Sequence, residues 1–90
     1  MDLMNNIPVQ MISVINTTGD MMPLKFRYEA NDHSIRTVVV TKTMGRQETN
    51  YVGQQCIRYL CKAEVDQKET IFEMKYLVVS HRWVISQVLT

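Results

Sequence analysis

From Ile57 to Val65 the odd-numbered residues are Ile57, Tyr59, Cys61, Ala63 and Val65, and the even ones include Arg58, Lys62 and Glu64, with Leu60 the exception. From Phe72 to Val78 the parity reverses, and Phe72, Met74, Tyr76 and Val78 alternate with Glu73 and Lys75. Period two sends successive side chains to opposite faces of an extended strand, so each segment has one apolar face and one polar face. The four polar residues between them, Asp66-Gln67-Lys68-Glu69, suit a four-residue hairpin loop. Closing there sets Val65 opposite Thr70, Ala63 opposite Phe72, Cys61 opposite Met74, Tyr59 opposite Tyr76 and Ile57 opposite Val78. It also sets Lys62 opposite Glu73, an attractive cross-strand pair. A slip by one residue would set apolar against charged along the whole ladder. Val52, Cys56, Tyr59, Leu60 and Ala63 also fall on a helical stripe, so an α+β fold with a short helix near 52–63 is the competing reading. The hairpin accounts for more residues, the charge pair among them.

The remaining segments extend the pattern. Val79-Ser80-His81-Arg82 reads as a turn into Trp83–Leu89, and a tight Ser80-His81 turn sets Trp83 opposite Val78 and Ile85 opposite Tyr76. Upstream, Leu24, Phe26 and Tyr28 alternate with Lys25, Arg27 and Glu29, and Asn31-Asp32-His33-Ser34 supplies turn chemistry before the β-branched run Ile35–Lys42. A three-residue loop there turns Val38 and Val40 inward, whereas a two- or four-residue loop selects Ile35, Thr37 and Val39; burying valines favours the first. Valines on both faces also suggest that this strand is covered on both sides. Val9–Ile15 reads as a shorter strand ended by Asn16-Thr17-Thr18-Gly19-Asp20, and Gly45–Gly53 as the longest irregular piece. Residues 1–8 are expected to be loose, Met11 being an alternative start, and 9–90 to form a single β-rich domain. Consecutive short strands with short loops predict an all-β antiparallel meander of five to six strands, a closed or partly open barrel.

Composition narrows the function. With 46% hydrophobic residues, 3 Gly and 2 Pro, the chain is neither disordered nor collagen-like. Ten Lys and Arg against nine Asp and Glu leave a formal charge of +1, so no global field selects nucleic acid or an anionic membrane. No run approaches the ~18 apolar residues of a membrane-spanning helix. Met1-Asp2-Leu3-Met4-Asn5-Asn6 lacks the basic start and apolar stretch of a secretory leader. Cys56 and Cys61 are the only cysteines. Five residues of extended chain would hold them ~16 Å apart on opposite faces, beyond the ~7 Å that a disulfide tolerates. Free thiols fit the cytoplasm.

Sites with recognisable chemistry are sparse. Gly19, Gly45 and Gly53 form no phosphate cradle. Cys56, Cys61, His33 and His81 have no zinc spacing, so neither a metal nor a cofactor is expected. Cys61 falls in the expected core, where a thiol is inert, and Cys56 has no base assigned beside it, so no catalytic residue is named. The acids Glu64, Asp66, Glu69 and Glu73 cluster at a hairpin loop as solvated charges do.

The span Met11–Leu89, and in particular Pro23-Leu24-Lys25-Phe26-Arg27-Tyr28-Glu29 and Phe72-Glu73-Met74-Lys75-Tyr76, resembles a group of small uncharacterised bacterial proteins. The resemblance implies a compact cytosolic bacterial protein and carries no activity or site residue.

Two functions remain. The first is a non-enzymatic domain that binds another protein or itself, as a homodimer, through Arg46, Tyr51 and Val52 in the irregular piece, with Val84 and Val88 on the outward side of the last strand; Arg and Tyr are enriched at interfaces. The alternative is a barrel that binds single-stranded nucleic acid through Arg27, Arg36, Lys42, Arg46 and Tyr51.

Overall fold

The structure, a computed structural model, describes residues 6–51 and 53–89. Six antiparallel strands close in chain order into a small barrel: β1 Ile7–Ile15, β2 Met21–Glu29, β3 Ile35–Tyr51, β4 Gln54–Val65, β5 Lys68–Leu77 and β6 Arg82–Val88. No helix occurs among the described residues, which overturns the helical reading of 52–63: Gln54–Val65 is strand, and Val52 lies outside the described residues. Among the described residues no helix is long and apolar enough to cross a membrane.

The core is the one that the alternation marks. Phe26, Tyr28, Val38, Tyr59, Cys61, Ala63, Val65, Phe72, Met74, Trp83 and Ile85 are all buried. Phe26 meets Phe72 edge-on at 5.6 Å, and Trp83 lies 5.3 Å from Tyr59 and 5.2 Å from Tyr76. Burial pushes the Cys61 thiol up to about 11, and both cysteines are free.

The partners within that core differ from expectation by two residues. Asp66 and Gln67 alone make the β4–β5 turn, both at positive φ (51° and 64°). That backbone matches the right-handed twist of the flanking strands, as a type I′ turn does. Val65 therefore faces Lys68, Cys61 faces Phe72, Tyr59 faces Met74 and Ile57 faces Tyr76. Lys62 stands opposite Ile71 rather than Glu73, and its ion pair is with Glu69 at 2.9 Å. The β5–β6 connection errs in the other direction. It takes the four residues 78–81 with His81 at φ 57°, so Tyr76 faces Trp83, Leu77 faces Arg82 and Met74 faces Ile85.

Between β2 and β3 the expected three-residue loop is present. Ala30 N–H donates to Ser34 O at 2.8 Å, His33 holds φ 65°, and Phe26 pairs with Val38. Val38 and Val40 accordingly turn inward, Val40 packing on the core. The outer side of this strand is not covered, since Val39 is 57% exposed. Ile7 and Pro8, expected to be loose, belong to β1 and pair with Ile85 and Val84.

The supposed irregular piece Gly45–Gly53 is largely strand. β3 runs on to Tyr51, with register shifts between Val40 and Lys42 and between Thr43 and Gly45. Its first part pairs with β2 and its later part with β4, so one strand turns a corner between two sheets. β1 does the same: Ile7, Pro8 and Val9 pair with β6, and Gln10–Ile15 pair with β2. Gly53, at φ 75°, supplies the left-handed backbone needed before β4.

Candidate interaction face

The register places Ile12, Lys25 and Val39 in one row on the outside of the β1–β2–β3 sheet. The next row is Gln10, Arg27 and Thr37. Leu24 joins this surface because of a bulge. Ile12 pairs with Lys25 and Ser13 with Pro23, leaving Leu24 as the extra residue of β2. Leu24 and Lys25 are therefore both exposed between buried Pro23 and buried Phe26. Simple alternation predicts Leu24 inward; the bulge reverses it.

The result is an aliphatic surface around one cation. Ile12 is 57% exposed, Val14 42%, Leu24 45% and Val39 57%, and clustered exposed apolar side chains of this kind mark interaction sites. Lys25 has no ion pair among the described residues. Arg27 is held down by Gln10, donating from Nε at 3.0 Å and Nη2 at 2.5 Å to Oε1. A depression of about 410 Å³ opens between the two rows, with Met11 and Phe26 among its lining residues.

The opposite side of the barrel carries a closed polar network. Arg58 donates to Glu73 Oε2 from Nη2 at 2.6 Å and Nε at 3.1 Å, and Ser86 Oγ donates to Oε1 at 2.5 Å. A register shift in β6 after Ile85 leaves Ser86 as the extra residue that reaches this carboxylate. Burial alone would raise Glu73, but the hydrogen bonds of Ser86 and Arg58 outweigh it and hold the carboxyl below its ordinary value. A shallow groove of about 540 Å³ runs over Gly45, Leu60, Glu73 and Gln87. With the carboxylate this fully bonded, the network reads as structural.

Neither thiol is arranged for catalysis. Cys56 is half-buried, and its Sγ lies 2.9 Å from the hydroxyl of Thr49, which is no general base. His81 Nδ1 sits 2.9 Å from the Tyr76 hydroxyl. Among the described residues no three His, Cys, Asp or Glu side chains converge.

The residues singled out from sequence are dispersed. Arg46 lies in β3, not in a loop, 6.0 Å over the Tyr59 ring and 3.0 Å from Glu48. Tyr51 ends β3, paired with Gln54, and Val52 falls outside the described residues. Val84 is buried at 9% exposure, and Val88 packs on the core because the shift at Ser86 turns it inward. Of the nucleic-acid set, Arg36 pairs with Asp66 at 2.8 Å and Arg46 with Glu48, and Arg27 is hydrogen-bonded to the neutral Gln10, so Arg27 and the exposed Lys42 have no ion pair among the described residues. Sequence reasoning missed Ile12, Val14, Leu24, Lys25 and Val39. Their one visible signal is the set of valines on both faces of Ile35–Lys42, read as a doubly covered strand. The chain matches no protein-family model, no curated protein and no solved structure.

Proposed function

We propose that this barrel is a non-enzymatic interaction domain that docks a protein partner on the outer face of β1, β2 and β3. The observation that carries the reading is the row Ile12–Lys25–Val39, two exposed aliphatic side chains flanking a cation that no acid pairs with among the described residues. Interface centres combine apolar area with few charges, and a lysine stem adds apolar surface of its own. The complementary partner presents aliphatic or aromatic side chains around a carboxylate that meets Lys25. Two free thiols and no disulfide support a reducing compartment, the cytoplasm, as its setting.

A photoreactive residue in place of Val39 tests the reading in extract of the native source. It should yield a defined protein adduct that Lys25→Glu abolishes, while the same residue in place of Gln47, on the far side, yields none. Adducts equal at both positions, or an adduct at 39 that survives Lys25→Glu, would overturn it.

A further inference from the structure

Closure of the barrel is narrowest between β1 and β6, where three residue pairs, Ile7–Ile85, Pro8–Val84 and Val9–Trp83, make the seam. Beyond Val9, β1 pairs with β2 alone, so Gln10–Ile15 has one side without a strand neighbour among the described residues. Open strand edges template pairing with another chain, and proteins usually guard them with charge, proline or glycine. Gln10-Met11-Ile12-Ser13-Val14-Ile15 has none of these. The later part of β3 is also unpaired on its far side, yet it carries Arg46 and Glu48. One open edge is guarded and the other is bare.

We infer that the bare edge is a self-association site, taken by Met11–Ile15 of a second copy of this chain in antiparallel pairing about a two-fold axis. The inference goes beyond the docking reading and does not depend on it. Antiparallel pairing of a strand with itself is self-complementary, as a two-fold interface requires. Residues directly opposite one another must share a sheet face, so the axis passes through a residue rather than between two. An axis at Ser13 sets Ile12 against the second copy's Val14 and Val14 against its Ile12, burying exposed aliphatic pairs. No ionisable side chain lies within the five paired residues, so nothing repels. Five residues at about 3.4 Å each span roughly 17 Å, the length of an ordinary strand. The three-stranded sheet then continues through its copy as six strands.

Ser13 is exposed and opposes itself across the axis, which makes a charge-swap experiment decisive. By sedimentation equilibrium the full chain should run at twice its 10.5 kDa mass. Ser13→Lys and Ser13→Glu should each run at the single-chain mass, because like charges then face each other, and their mixture should return to twice that mass. Circular dichroism and Trp83 fluorescence confirm that each variant is folded; should Ser13→Lys not fold, Ser13→Asp against Ser13→Arg replaces the pair. Val39→Ser, which alters the docking face and not the edge, should leave the mass doubled. A wild-type chain at the single mass, variants that stay doubled, or a mixture that stays single would each overturn the inference.

Discussion

Tyr59 on β4 donates its phenolic hydroxyl to the main-chain carbonyl of Met21 on β2, joining two strands that are not neighbours in the barrel. Its ring packs on Trp83, and the Arg46 guanidinium lies over the ring, 6.0 Å from its centroid. A single side chain thus ties β2, β3, β4 and β6 together. Tyr59→Phe keeps the ring and removes the hydrogen bond, which should cost about 1 kcal/mol and lower Tm by about 4–8 °C in a domain of this size. Thermal unfolding followed by near-ultraviolet dichroism measures it. An unchanged Tm would mean that the hydroxyl contributes nothing to the closure.

Glu73 makes stability depend on acid. Its folded pKa lies below the ordinary 4.5. A carboxylate depressed on folding contributes stability that is complete above the unfolded value and is lost as pH falls through the folded one. Denaturant midpoints should therefore decline below about pH 4.5, and Glu73→Gln should flatten that decline while lowering stability at pH 7. Lys75, which also favours the charged form, should have a smaller effect when replaced by Met.

The β4–β5 turn offers a stabilising change. Gln67 sits at φ 64°, a conformation that costs an L-residue about 1 kcal/mol and glycine almost nothing. Gln67→Gly should raise the urea midpoint by an amount worth roughly 0.5–1 kcal/mol. Asp66 should be left in place, since it accepts from Arg36 at 2.8 Å. A destabilised Gln67→Gly would contradict the two-residue turn.

The thiols should differ in reactivity. Cys61 is fully buried and pushed up to about 11, whereas Cys56 is half-buried. At pH 8 a disulfide reagent should titrate one thiol per folded chain, and two once guanidinium unfolds it.

Much of this architecture is legible in sequence because period two survives a certain kind of error. Moving the β4–β5 register by two residues leaves Tyr59, Cys61, Phe72 and Met74 on the same inner face, so the core is read correctly while its pairings are not. Loop length is what hides those pairings: Asp66-Gln67-Lys68-Glu69 is polar throughout, and composition does not say that only its first two residues leave the ladder. Leu24 and Val88 are misplaced for a different reason. Each lies beside a bulge, and one inserted residue inverts the parity that alternation relies on. The strand Gly45–Tyr51 is invisible because, past its corner, it pairs only with β4 and has little core to face, leaving no apolar period to read. The docking face is missed as a consequence of the bulge and of taking Val39 as covered.

The most direct test of the docking face pairs two readings on one protein, the double variant Lys25→Ser/Val39→Ser. Both side chains are exposed and neither lies on the β1 edge, so Tm should stay close to that of the wild type, as exposed substitutions usually cost about 0.5 kcal/mol or less. The partner adduct, formed from a photoreactive group placed at Leu24, should disappear. An adduct that persists on the stably folded double variant would contradict the account.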